Sequence, residues 1–337
     1  MTVQLAIIGL GQIGASVGLA LAEHKDKVTR LGHDREPNIA KQARQMGAVD
    51  TIFFNLPATV EKAELILLAL PADQIRDTLQ VIAPCLQEHT VVMDTSPVKG
   101  AVAQWMKELL PPTCHYVGLT PAINPDYLGE VERGIRAAHA DLFARGVMAV
   151  AAPQGTGGEA VKLAADLSAL LGAAPFFVDL LEVDGMMAGL HIMPQLYAAA
   201  LANVAMGNPG WGDARKLAGR VYAEATAPVA YDEEGGALVE AALQDGANVT
   251  RIIDELIIEL KELKENISIQ EREKLTGWLQ RARQGRSRWW RERSLGDWLS
   301  TGLEKVELPK SGLWKRLFGN LGKLFGPPKP GKEQQEK

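Results

Sequence analysis

Two hydrophobic periods divide the chain. Through residues 1–180, short apolar runs alternate with stretches of helical spacing: Val3–Ile8, Val28–Asp34, Leu65–Leu70, Thr90–Asp94, Tyr116–Leu119 and Val147–Ala151. Their alternation with helical segments predicts a parallel sheet with crossover helices. One crossover helix is expected to open at Asp73, as its N-cap, and to run to about Leu86. A helix over Gly158–Leu171 and a strand over Pro175–Val178 complete this part near residue 180. From Asp184 to about Arg283 only the helical period persists, with Ile252, Ile253, Leu256, Ile257, Leu260 and Leu263 as one stripe. Residues 185–207 contain no Asp, Glu, Lys or Arg, which raises a membrane span as one reading. Pro194, Gln195, Asn203 and the Ala/Gly content argue instead for a helix buried on most sides, inside a domain or a dimer.

The first strand and helix enclose Gly9-Leu10-Gly11-Gln12-Ile13-Gly14, and Asp34 follows Gly14 by 20 positions at the end of the second strand. Each glycine has a separate task in binding a dinucleotide. Gly9 permits the tight turn, Gly11 lets the backbone approach a pyrophosphate, and Gly14 lets helix and strand pack closely. The free N–H groups of the helix N-terminus, at Gln12 and Ile13, face the phosphates. Asp34 would accept hydrogen bonds from the adenosine ribose and repel a 2′-phosphate, which favours NAD over NADP. Arg35 is a competing signal, since its guanidinium could pair with that phosphate or stack on adenine. The blander alternative is an ordinary strand-to-helix turn with no ligand.

Composition narrows the class further. The 337 residues, 47% hydrophobic and 23% charged, describe a globular chain with room for about two domains. Cys85 and Cys114 fit neither a metal site nor a disulfide framework, and no signal peptide is apparent; a cytoplasmic location is expected. No metal is expected. The net charge of −5 is unevenly spread: residues 281–337 hold 14 Lys/Arg against 6 Asp/Glu, net +8, while the rest hold 22 against 35, net −13.

Three loops follow strand ends, where ligands of open α/β sheets bind: Leu70-Pro71-Ala72, Asp94-Thr95-Ser96-Pro97-Val98-Lys99-Gly100, and Gly118-Leu119-Thr120-Pro121. In this order after the glycine motif, and followed by Asp184…Ala188…Pro194, Gly210-Trp211-Gly212-Asp213, Ala218 and Asn248, they resemble the prephenate/arogenate dehydrogenase family from Leu5 to about Ile267. The resemblance implies an N-terminal Rossmann-type, doubly wound parallel α/β sheet (residues 1–180) and an all-α C-terminal dimerisation domain (181–283), with 284–337 as a basic, Trp-rich tail. It also implies NAD(P)-dependent oxidation and decarboxylation of a cyclohexadienol on the way to tyrosine, and a homodimer.

Where the family carries a catalytic His before the loop Pro, this chain has Thr120; where it usually has Ser, Pro97 stands, with Ser96 adjacent. A Ser-His pair before Pro194 is replaced by His191-Ile192, and the family's carboxylate-binding arginine falls on Lys216, beside Arg215. Thr120, Ser96 and His191 are therefore the catalytic candidates, Arg215 and Lys216 the substrate-binding ones, and Leu70 and Pro71 join the glycine loop, Asp34 and Arg35 at the cofactor. A threonine hydroxyl hydrogen-bonds but does not titrate near neutrality, so His191 is open to two readings, a replacement base or a histidine satisfied in a helix interface. Rival functions are a related dehydrogenase acting on another hydroxy acid and a non-catalytic NAD-binding sensor. The β-hydroxyacid dehydrogenases fit less well, because Asp166 stands where their Asn would follow Lys162.

The tail adds a partner. Leu313, Trp314, Leu317, Phe318, Leu321, Leu324 and Phe325 fall on one helical face, with Lys315, Arg316 and Lys323 elsewhere. Residues 313–325 thus suit an anionic membrane surface, a protein groove or the chain's own domain. The Arg/Trp cluster from Arg286 to Arg293 is a weak signal for nucleic acid, which is not expected as a partner.

Overall fold

A computed structural model describes residues 2–231 and 236–296; the amphipathic stretch 313–325 lies outside the described residues. In the first part, strands β1 (Val3–Ile8), β2 (Val28–His33), β3 (Thr51–Ile52), β4 (Leu65–Leu68), β5 (Val91–Asp94), β6 (His115–Ala122), β7 (Val147–Ala151) and β8 (Ala174–Phe177) form one sheet. Its order is β3-β2-β1-β4-β5-β6-β7-β8, so the chain starts in the middle and winds outward in both directions. The intervening helices are α1 (Gln12–Ala20), α2 (Pro37–Gln45), α3 (Leu56–Val60), α4 (Ala72–Ile82), α5 (Lys99–Leu109) and α6 (Gly158–Leu170).

Alternate strand residues feed two separate cores. Leu5, Ile7, Leu65 and Leu67 pack under Ala15 and Val17 of α1, Ala40 and Ala43 of α2, and Leu163 and Leu167 of α6. Ala6, Ile8, Ile66 and Leu68 pack on the opposite face against Ile75 and Leu79 of α4 and Val102 and Trp105 of α5. Burial on both sides is why these strands read as unbroken apolar runs. Arg30 is the exception within β2. Its fully buried guanidinium is matched by Asp50 at 2.6 Å and by the carbonyls of Gly18 and Gly47 at 2.7 and 2.9 Å.

Two expectations are corrected. The sheet is not wholly parallel, because β7 runs antiparallel to β6, pairing Thr120 with Ala149. A long excursion over residues 123–146 joins these neighbours and returns the chain to the sheet in the opposite sense. Asp73 is not an N-cap: α4 begins at Ala72 behind Pro71, and Asp73 sits in its first turn, where a carboxylate still favours the helix dipole. The helix also ends earlier than expected, at Ile82, and passes into a short 3-10 turn over Ala83–Cys85.

Beyond Val178 the described residues hold helices and no strand: α7 (Leu180–Met187), α8 (Met193–Met206), α9 (Trp211–Ala214), α10 (Arg220–Thr226), α11 (Gly236–Gln244), α12 (Gly246–Ser268) and α13 (Arg272–Leu295). Between α7 and α8 the helix widens into a π turn over Ala188–Ile192. Pro194 has no N–H to offer the preceding turn, which accounts for the local change of pitch. This helical region rests on the sheet through a third core. There Ala72, the first residue of α4, and Val98, from the loop after β5, meet Ala188, Ile192, Met193, Ala241 and Val249. Among the described residues, no helix is long and apolar enough to cross a membrane.

Candidate active site

The turn after β1 is built around missing side chains. Gly9 has φ +88°, and a Cβ there would stand 2.3 Å from the Ala69 carbonyl oxygen. A Cβ on Gly14 would stand 1.9 Å from the Gly9 carbonyl oxygen, so α1 can lie this close to the strand end only with glycine at both places. Gly11 differs: nothing lies within 4 Å of its Cβ position, and its backbone (φ −73°) is one that any residue adopts. The open space beside Gly11 faces a cleft of ≈ 300 Å³ that is also lined by Gly9, Asp34, Arg35, Leu70 and Pro71. Gln12 and Ile13 form the first turn of α1 beside it.

Asp34 follows β2 directly. One carboxylate oxygen accepts from the Leu10 N–H inside the glycine turn at 2.8 Å, and the other accepts from the Glu36 N–H at 2.9 Å. The acidic residue is therefore locked to the turn, with lone pairs left on both oxygens for hydroxyl donors. Six predicted cofactor residues (Gly9, Gly11, Asp34, Arg35, Leu70 and Pro71) meet around one cavity.

The loop after β5 is organised from below. The fully buried Asp94 carboxylate accepts from the Ser96 N–H (2.8 Å) and hydroxyl (2.6 Å), from the Lys99 ammonium (2.9 Å) and from the Tyr116 hydroxyl (2.7 Å). Burial pushes the Lys99 ammonium below its ordinary pKa, and the facing Asp94 only partly offsets this. Burial, with the Asp94 charge beside it, holds the Tyr116 phenol well above its ordinary value. A Cβ at Gly118 would meet Lys99 Cδ at 2.7 Å and Tyr116 Oη at 2.9 Å, so this glycine makes room for the lysine. Tyr116, Gly118 and Thr120 lie on one face of β6, in that order toward the strand's carboxyl end. The Thr120 hydroxyl is buried and has no hydrogen-bond partner among the described residues.

Ser96 is buried, with its hydroxyl donated to Asp94. His191 lies on the π turn; the residue keeps surface to solvent, but the atoms packed around its imidazole push the ring's pKa below its ordinary value, and its carbonyl accepts from Gln195 at 2.8 Å. Arg215 and Lys216 lie just past α9, both exposed; Arg215 donates to the Gly212 carbonyl and Lys216 pairs with Asp213 at 2.7 Å. The cofactor candidates are thus gathered, while the substrate candidates are spread over the β5 and β6 loops and the helical region.

Asp184 of α7 is a residue whose part the motif reading missed. Its carboxylate accepts from the Lys99 N–H at 2.5 Å and the Gly100 N–H at 2.8 Å, capping α5 from 85 and 84 positions away. Burial pushes this carboxyl up to about 6, and the Asp245 charge adds to the rise, against the two N–H bonds and Lys99.

The fold and glycine turn define a nucleotide-binding α/β protein. Residues 17–175 match the family model described as prephenate dehydrogenase, nucleotide-binding domain. Cyclohexadienyl dehydrogenase of Zymomonas mobilis is 30% identical over 107 residues, 32% of this chain and 36% of that protein. Prephenate dehydrogenase of Bacillus subtilis is 26% identical over 202 residues, 59% of this chain and 53% of that protein. The chain thus spans about half or less of these relatives. A crystal structure of prephenate dehydrogenase from A. aeolicus, in complex with hydroxyphenyl propionate and NAD+, shares the fold at a TM-score of 0.75 and 21% identity, covering 86% of this chain and 98% of that one. Residues 17–175, a little under half of the chain, are thus similar to the nucleotide-binding domain of prephenate dehydrogenases, and the chain shares their fold.

A pH dependence follows from Asp184. Its folded pKa of about 6 lies above the ordinary 3.8, so the folded state holds this proton more tightly than the unfolded one. Its contribution to stability is therefore full at low pH and declines as pH rises from about 4 to about 6. Urea unfolding of wild type and Asp184→Asn across this range is expected to give a difference that shifts in the variant's favour as pH rises. A constant difference would contradict the assignment.

Proposed function

We propose that the chain is an NAD-dependent dehydrogenase that oxidises the ring hydroxyl of prephenate or arogenate. The ring carboxylate leaves as carbon dioxide and the product is aromatic. The observation that carries this reading is the cleft beside Gly11, where an absent side chain leaves space at a helix N-terminus and a fixed carboxylate stands at the ribose end. NAD+ supplies the hydride acceptor. The chain's own residues supply the rest. Gly9 to Gly14 would hold the pyrophosphate, and Asp34 the ribose hydroxyls. Leu70 and Pro71 would cover the dinucleotide after β4, with Arg35 at the adenine.

On the substrate side, the unpartnered Thr120 hydroxyl is the group available to orient the reacting hydroxyl. It cannot take up the proton at neutral pH, a loss worth about 10²–10⁴-fold where a positioned base is missing. The His191 imidazole, which burial keeps from holding a proton at neutral pH, and Ser96 through Asp94, are secondary candidates. Arg215 and Lys216 are proposed for the substrate carboxylates; the exposed Lys216–Asp213 pair is weak enough to exchange for one.

The helical region is proposed as a dimerisation domain. The 23-residue helix α12 buries only Val249 and Asn266, leaving Ile253, Ile257, Ile258 and Leu260 exposed. Val204 on α8, 71% exposed, and Val221 on α10, 83% exposed, extend this apolar surface. A patch this extensive on a soluble chain marks an interface, and a second copy presents the same helices.

A second reading rests on Thr120 and on Ser96, whose hydroxyl is committed to Asp94: a protein that binds NAD without turnover. Mixing the protein with NAD+ and either prephenate or arogenate, and following NADH, separates the two. NADH formation with one substrate is the expected result; NAD+ binding without it would establish the second reading. Replacing Asp34→Ser removes charge-assisted bonds to the ribose worth about 1.5–3 kcal/mol. NAD+ affinity should fall by about 10- to 100-fold while NADP+ gains on it; an unchanged NAD+/NADP+ ratio would place the ribose elsewhere. Light scattering should give twice the 36.4 kDa chain mass, reduced toward one chain by Ile258→Asp. A monomeric wild type would reject the dimer.

A further inference from the structure

Helix α5 needs a cap that its own neighbourhood does not provide. Its N-cap position is Val98, whose side chain cannot accept a hydrogen bond, so the first N–H groups have no local partner. Asp184 fills the gap from the helical region, taking the Lys99 and Gly100 N–H groups on its two oxygens. The contact is cut to size. A Cβ on Gly100 would stand 2.8 Å from Asp184 Oδ2, and the aspartate is buried.

What Asp184 holds leads on to the loop after β5 and to β6. The residue whose N–H it fixes, Lys99, threads its side chain over Gly118 to Asp94, and Asp94 in turn anchors Ser96 and Tyr116. Val98, one residue before the capped N–H, belongs to the core that joins the sheet to the helical region. Asp184 lies only four residues into α7, the first helix beyond the sheet, and one turn before the π segment that carries His191. Lys99 and Asp245 are the charged groups that act on it, and Tyr116 feels its charge.

We propose that Asp184 is a positioning residue: it clasps the helical region to the loop after β5, and thereby sets the substrate-side residues of that loop and of β6 against the cofactor cleft. This rests on the dehydrogenase reading. A neutral amide could cap a helix without burying a charge near Asp245, so helix stability alone does not call for a carboxylate here. A carboxylate gives each N–H an oxygen of its own, where an amide would have to take both on one.

The test uses the full-length protein and three variants. Asp184→Ala removes both acceptors, Asp184→Asn keeps one, and Gly100→Ala leaves Asp184 in place but pushes its carboxylate away. In Asp184→Ala and Gly100→Ala, kcat should fall by about 10- to 100-fold, the scale of a misplacement near 1 Å, with Asp184→Asn intermediate. NAD+ affinity, set at the distant glycine turn, should stay within about twofold of wild type, and amide exchange at Lys99 and Gly100 should quicken. Unchanged kcat with quickened exchange would make the clasp merely structural and overturn the proposal, as would unchanged exchange or a parallel loss of NAD+ affinity. If wild type itself shows no turnover, the dehydrogenase reading fails separately. Exchange then decides whether the clasp exists: quickened exchange in Asp184→Ala supports it, and unchanged exchange overturns it.

Discussion

The approach of α1 to the end of β1 is the constraint on which the site depends. With no side chain at Gly14, the helix start stacks on the Gly9 carbonyl, and with none at Gly9 that turn fits against Ala69 at the end of β4. The two missing methyl groups bring three elements, β1, α1 and the loop after β4, to one point. Leu70 and Pro71 lie on that loop, which is why they share a cleft with Gly11 and Asp34. The Leu10–Asp34 hydrogen bond then ties the end of β2 to the same turn, so sheet order and cofactor cleft are aspects of one packing arrangement.

A second contact, remote from the first, orders the loop after β5 and its join to β6. Asp94 gathers Ser96, Lys99 and Tyr116 in a region closed to solvent, where an unmatched charge would be costly. The network converts the loop after β5 from a flexible turn into a fixed floor, and Asp184 joins that floor to the helices. The proposed cofactor side is thus set by backbone packing around glycines and the proposed substrate side by buried charge. The residue at position 120 can therefore vary without disturbing the glycine turn.

Much of this was legible in the sequence, for physical reasons. Strands β1, β4 and β5 were visible because both faces are buried, and the glycine turn because only glycine satisfies its contacts. The reversal of β7 was not visible, since Val147–Ala151 carries the same apolar pattern in either direction. Its sense is set by the route of residues 123–146. The cap on α5 was hidden because its acceptor lies 85 positions from the first N–H it meets. The hydroxyl of Ser96 could be listed as a candidate but not aimed, because its partner Asp94 becomes a floor only once Tyr116 and Lys99 close over it. Pro194 spoke only against a membrane span, and the π turn that precedes it was not visible.

The central claim is that the space beside Gly11 belongs to a dinucleotide, and one comparison tests it directly. Gly11 has ordinary backbone angles and nothing within 4 Å of its Cβ position, so Gly11→Ala should fold as wild type does. Calorimetric titration with NAD+, alongside thermal unfolding of both proteins, should show equal unfolding midpoints and affinity weakened by about tenfold or more in the variant. Equal midpoints with equal affinity would mean that the pyrophosphate does not approach this turn, and would contradict the account.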